Sequence, residues 1–172
     1  MKPVDEPVLD LASEESGEPH RSGPEAGRCI LRLMDSQPFA VLCAQGSGQP
    51  YGAVVAFACL PDLTALAFPT PITTRKFRLL EASAQVALVI DSRSLHPDDM
   101  MKVEAVTVTG RATLLEEPEA RREWSRRIAD RHAYLRDFLQ SPSTAVFRVD
   151  VCRYFYVTRF QEVMQWIPGR TG

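Results

Sequence analysis

No stretch of this chain approaches the ~18–20 uninterrupted apolar residues of a bilayer-crossing helix, so a helical membrane protein is excluded. Cysteine is sparse and scattered: Cys29, Cys43, Cys59 and Cys152 form no C-x-x-C pair. A chain of 172 residues can bury its own core, so free, buried thiols in a reducing compartment are expected rather than a disulfide frame. The three histidines, His20, His96 and His132, share no metal-ligand spacing, and no G-x-S-x-G nucleophile turn occurs. Lysine is nearly missing, with only Lys2, Lys76 and Lys102. The net charge of −2 carries no basic excess, and the arginines between Pro118 and Arg136 are interleaved with acids. A nucleic-acid-binding face is therefore not expected.

The charge is unevenly placed. Six of the 22 acids fall in residues 1–24 against Lys2 and Arg21, leaving 16 acids and 18 bases in the remainder. Residues 1–24 are also rich in Pro, Glu, Ser and Gly, with only Val8, Leu9 and Leu11 as an apolar patch. Such a segment cannot offset its own ordering entropy, so it reads as a flexible arm ahead of one domain at 25–172. The opening MKPVDEPVLDLASEES has acids where the apolar run of a signal peptide would lie. Together with the cysteine pattern, this predicts a cytoplasmic protein.

From Pro24 the apolar period is helical, with Ile30, Leu33 and Met34 on one face until Gln37-Pro38 stops it. The period then shortens to that of strands. Expected strands are 39–44, 51–60, 64–68, 85–90, 103–115 and 144–160, the first three joined by short Gly- or Pro-containing turns. Helices are expected from Arg75 to about Ala82, from Pro118 past Arg131, and over Tyr134–Leu139, with residues 161–172 as a tail. Six antiparallel strands with few helices close most economically as a barrel.

The most informative segment is FPTPITTRK, residues 68–76, where a strand runs directly into a helix. It brings Thr70, Thr73 and Thr74 hydroxyls, Arg75 and one of the rare lysines, Lys76, to a helix N-terminus. Free N–H groups, hydroxyls and two cations at the positive end of a helix dipole suit a phosphate group. The same residues also suit a capped surface helix with two solvated bases. Two further candidates lie elsewhere. Arg93 follows an apolar strand, where a barrel mouth would open, and suits an anionic substrate or cofactor, or plain solvation. Trp166 follows the last long strand, where its indole suits covering a ring system across a subunit contact or packing an interface.

The stretch from about Gln37 to Leu115, including V-T-V-T-G-R-A at 106–112, resembles the FMN-binding split-barrel superfamily to which pyridoxamine 5′-phosphate oxidase belongs. The resemblance implies a mainly β, six-stranded antiparallel split barrel that forms a homodimer with flavin at the subunit interface. Thr70, Thr74, Arg75 and Lys76 match the family's phosphate ligands. Ala53, Val54, Val55 and Ala56 match the strand along the isoalloxazine ring. An FMN-dependent oxidoreductase acting on a small-molecule substrate is the implied activity. The oxidases proper carry an Arg and a Lys on the second strand where this chain has Ala53 and Ala58, and their C-terminal substrate motif is missing. The ending RYFYVTRFQEVMQWIPG looks more like the F-x-x-x-x-W tail of haem-associated or uncharacterised members. Alternatives implied are therefore a haem- or tetrapyrrole-binding module, with His96 or His132 as ligand, and an F420-dependent reductase.

Overall fold

The computed structural model describes residues 24–46, 48–159 and 162–169; the expected N-terminal arm up to residue 23, with His20, lies outside them. Helix α1 (Pro24–Ser36) starts with Pro in its first turn and ends just before Gln37-Pro38. Its Ile30, Leu33 and Met34 are buried. The α1 C-terminus is closed from far along the chain. Arg131 donates to the carbonyls of Met34, Asp35 and Gln37 while its guanidinium lies 4.6 Å over the Phe57 ring.

Eight antiparallel strands follow: β1 (Phe39–Gly46), β2 (Gln49–Ala56), β3 (Ala58–Cys59), β4 (Ala65–Pro71), β5 (Gln85–Asp91), β6 (Ala105–Leu114), β7 (Thr144–Thr158) and β8 (Glu162–Trp166). The sheet runs β2-β1-β5-β6-β7-β4-β3, with β8 beside β7. The expected single strand 51–60 is thus two strands. β2 pairs with β1, the chain passes through buried Phe57, and β3 pairs with β4. Because both ends of the path belong to one segment, the sheet curls round and closes there as a split barrel.

Two other expectations change. The strand expected at 64–68 continues through Pro69-Thr70-Pro71, pairing with β7 as far as Thr144. Proline lacks an N–H, but Ile72 N–H reaches Ser143 O, so even-numbered residues face β7 and both prolines turn their nitrogens to the unpaired side. The expected tail contains β8, which folds back on the C-terminal part of β7. The cysteines are all free, but Cys43 and Cys152 are exposed rather than buried, because Cys43 sits on the outward parity of β1 and Cys152 on a bulge.

The bulge explains how β7 stays in register with its core. Thr109 pairs with Arg153 while Gly110 pairs with Val151, so Cys152 is the extra residue. Inward positions on β7 are Phe147 and Val149 before it, and Tyr154 and Tyr156 after it. Gly110 is required there, since a Cβ would lie 2.4 Å from Asp150 O. The buried Tyr154 hydroxyl donates to Leu63 O at 2.7 Å, holding a non-glycine turn residue at φ 61.

Two layers of core result. The barrel interior gathers Leu42, Val55, Phe57, Phe68, Leu88, Val106, Phe147 and both buried tyrosines, with α1 plugging it. On the outside, α3 (Pro118–Arg131) and α4 (Arg136–Gln140) place Trp124, Ile128 and Leu139 against Ala58, Ala65, Ala67 and Val146. The α3 start is capped by its own Glu117, whose carboxylate accepts from Glu119 and Ala120 N–H. Among the described residues, α3 and α4 cover the β3-β4-β7 part of the outer surface.

Candidate functional site

Strand β4 delivers Thr70 fully buried, and the chain turns at Ile72-Thr73 into α2 (Arg75–Ala82). Thr74 is the N-cap in extended conformation, its Oγ1 accepting from Phe77 N–H at 3.2 Å. The Thr70 and Thr74 hydroxyls lie 3.1 Å apart, so β4 and the cap are tied together. Thr73 is exposed at the crest of the turn. Among the described residues the first-turn N–H groups of Arg75 and Lys76 have no acceptor, as helix geometry dictates.

Among the described residues, no carboxylate forms an ion pair with Arg75 or Lys76. Lys76 is half-buried, and that burial alone pushes its amine below the usual lysine range. Arg75 lies over the Tyr51 ring, 5.3 Å from its centroid. The cluster sets two cations at a helix start whose cap hydroxyl, Thr74 Oγ1, donates to Pro71 O at 2.9 Å and is bonded to the buried Thr70 hydroxyl.

Tyr51 connects this cluster to the segment at 53–56. It pairs with Ala44 near one end of β1, while Ala56 pairs with Phe39 at the other. Strand β2 has β1 on one side and, among the described residues, no strand paired on the other, leaving an open edge from the cluster toward Ala56. Val54 points outward and is 68% exposed, whereas the Val55 side chain is buried in the core. Ala53 and Ala56 are half-buried small residues beside them.

The outward face continues across the sheet. Register aligns Val54, Val41, Val89, Thr107 and Phe155 in one row. No helix among the described residues covers this row, unlike the opposite half of the barrel. At its Phe39 end, the Phe39 ring (49% exposed) stacks on His132, which meets Tyr134 edge-on.

The remaining candidates fall elsewhere. Arg93 stands beyond β5, exposed and paired with Asp91 at 3.2 Å. The Asp91 end of β5 lies toward the Phe39 end of β1, away from Tyr51 and Arg75. Trp166 pairs with Tyr154 on the core face, 5.6 Å between centroids, and packs on Gly27 of α1. It therefore lies on the opposite face from Val54. His132 is buried with Nε2 3.0 Å from Phe57 O, while His96 is half-exposed in the loop after β5. Tyr51 and Phe39 carry no signal in the sequence beyond being lone aromatics on strands; their significance comes from register.

The fold and this cluster define a class: a split β-barrel with two cations and a capped helix start where β4 meets α2. The family model for pyridoxamine 5′-phosphate oxidase matches residues 27–158, more than three quarters of the chain. The chain belongs to the pyridoxamine 5′-phosphate oxidase family. No curated protein matches it. Among solved structures, a haem-binding protein from Mycobacterium smegmatis superposes with a TM-score of 0.74 at 18% identity, covering 84% of this chain and 58% of that one. Campylobacter jejuni ChuZ gives 0.72 at 8% identity, covering 88% and 61%. General Stress Protein 26 from Bacillus anthracis gives 0.60 at 17%, covering 77% and 94%. The chain thus spans less than two thirds of the first two of these proteins. At such identities, the likeness is one of fold.

Proposed function

We propose that this protein is a homodimeric flavoprotein that binds FMN non-covalently and oxidises or reduces a small molecule. The observation that carries the reading is the cation pair: Lys76, half-buried with no counter-ion among the described residues, beside Arg75 and the Thr70 and Thr74 hydroxyls, at the first turn of α2. Burying part of a lysine without an acid costs stability, and a dianionic phosphate recovers it. The open edge of β2 leads from that cradle along Ala53–Ala56, which suits an elongated ligand with one anionic end and one flat end. FMN supplies the electron or hydride transfer. The chain's part is to anchor the phosphate, to offer backbone groups of β2 to the ring and to keep water from it. The uncovered row from Val54 to Phe155 supports a second copy as the natural cover.

The test is the purified protein's visible spectrum with the mass of the released small molecule. Flavin absorption, an FMN mass and a dimer by light scattering are expected; a colourless protein that gains no flavin in titration refutes the reading, and a deazaflavin mass replaces FMN with F420. A second reading, a haem-binding module, is favoured by the M. smegmatis haem-binding protein, whose likeness covers 84% of this chain. Its ligand would be His96, because His132 is buried with its Nε2 against Phe57 O. A Soret band that disappears in His96→Ala would replace the flavin reading.

A further inference from the structure

We propose that Tyr51 is a positioning residue that aims Arg75 at the phosphate end of the site, and so sets the preference for a phosphorylated ligand over its unphosphorylated counterpart. The proposal rests on the FMN reading above. Three guanidiniums in the described residues lie over aromatic rings. Arg131 over Phe57 spends its N–H groups on the carbonyls that end α1. Arg127 over Trp124 spends two on Glu123. Both are structural contacts.

Arg75 over Tyr51 differs, because its guanidinium finds no acceptor among the described residues. A guanidinium lying over a ring is held by one face while its N–H edge stays free, and that edge matches two phosphate oxygens. An exposed arginine otherwise samples many rotamers, and the stack removes that search before the ligand arrives. Tyr51 can do this because β2 register places it opposite Ala44, at the end of the hairpin against which α2 packs. There Gly46 meets Leu79 of that helix. The two cations then divide the work: Lys76 supplies a fixed charge from a half-buried stem, and Arg75 supplies directed hydrogen bonds from a stacked plane. The first depends on burial, and the second on Tyr51.

The experiment compares FMN and riboflavin affinities for the full chain carrying Tyr51→Leu, Tyr51→Phe, Arg75→Ala and the Tyr51→Leu/Arg75→Ala pair. Tyr51→Leu should lower the FMN-to-riboflavin affinity ratio about threefold to tenfold, and Tyr51→Phe should restore most of it, since the π face remains. In the Arg75→Ala background, Tyr51→Leu should change the ratio no further. Taking the ratio keeps the result independent of how much of each variant is folded. An unchanged ratio in Tyr51→Leu, or an equal further loss on top of Arg75→Ala, overturns the positioning role while leaving the phosphate site standing. Wild type that binds riboflavin as tightly as FMN overturns both.

Discussion

Replacing Lys76 with methionine separates the cost of this site from its use. Methionine keeps an unbranched stem of similar length and removes the charge that burial disfavours, so the ligand-free variant should melt no lower than wild type. The pH dependence has a definite sign. The folded state holds the Lys76 proton less tightly than the unfolded chain, whose ordinary value is 10.5. Between the lowered value and 10.5 the unfolded state binds more protons, so wild-type stability gains from this group as pH rises through that window. Lys76→Met should lack that gain, and bound phosphate should cancel it in wild type.

Ligand binding should respond oppositely. A charge-assisted hydrogen bond is worth ~1.5–3 kcal/mol, so FMN affinity should fall about tenfold or more. At FMN one hundred times the wild-type dissociation constant, wild type gains ~2.7 kcal/mol, and a tenfold weaker variant ~1.4 kcal/mol. For a domain of this size that means a melting shift of ~5–10 °C against ~3–5 °C. Scanning fluorimetry with and without FMN, at pH 7 and pH 10, measures all of it. A variant whose FMN-induced shift equals that of wild type, or whose ligand-free form melts several degrees lower, refutes the argument and makes Lys76 a structural base.

Three further outcomes follow from the geometry. Gly110→Ala forces a Cβ to within 2.4 Å of Asp150 O at the β7 bulge; it should cost ~3 kcal/mol and lower the melting temperature ~5–10 °C, and an unshifted melt refutes the close approach. Thr74→Ala removes the cap on Phe77 N–H and should cost ~1 kcal/mol, with Thr74→Ser recovering most of it in the same melt. Val54→Glu puts a charge in the middle of the uncovered outer row and should convert a dimer to a folded monomer by light scattering; a wild-type monomer sinks the dimer proposal.

Where period and punctuation agreed, the chain could be read directly. FPTPITTRK shows the strand-to-helix joint, and α2 covers the expected residues with Thr74 as cap. The helix at Pro24 and its Ile30, Leu33 and Met34 face are equally plain. What escaped was partner choice. Nothing local in 51–60 says that β2 and β3 pair with different strands, because the inward parity of Val55 and Phe57 runs unbroken through the switch. The prolines at 69 and 71 read as breakers, since only the direction of their nitrogens, fixed by β7, makes them tolerable. Strand β8 carries no strong alternation, and its place comes from Trp166 meeting Tyr154. The candidate site was legible as cations and hydroxyls gathered at one turn, but the Tyr51 contact and the inward turn of Val55 exist only in the folded register.

Strand β7 touches β6 along one edge and shares its other edge between β4 and β8. Remove it, and the sheet falls into two ladders, β2-β1-β5-β6 and β4-β3, with no strand pairing between them. A chain emerging from the ribosome therefore carries unsatisfied strand edges until about residue 150 is available, and the Arg131 closure of α1 waits nearly as long. Folding of this barrel is dominated by non-local contacts, so the growing chain keeps aggregation-exposed strand edges until β7 has emerged. The turn that carries Arg75 and Lys76, built where β4 meets α2, can mature only when β7 arrives to hold β4 in place.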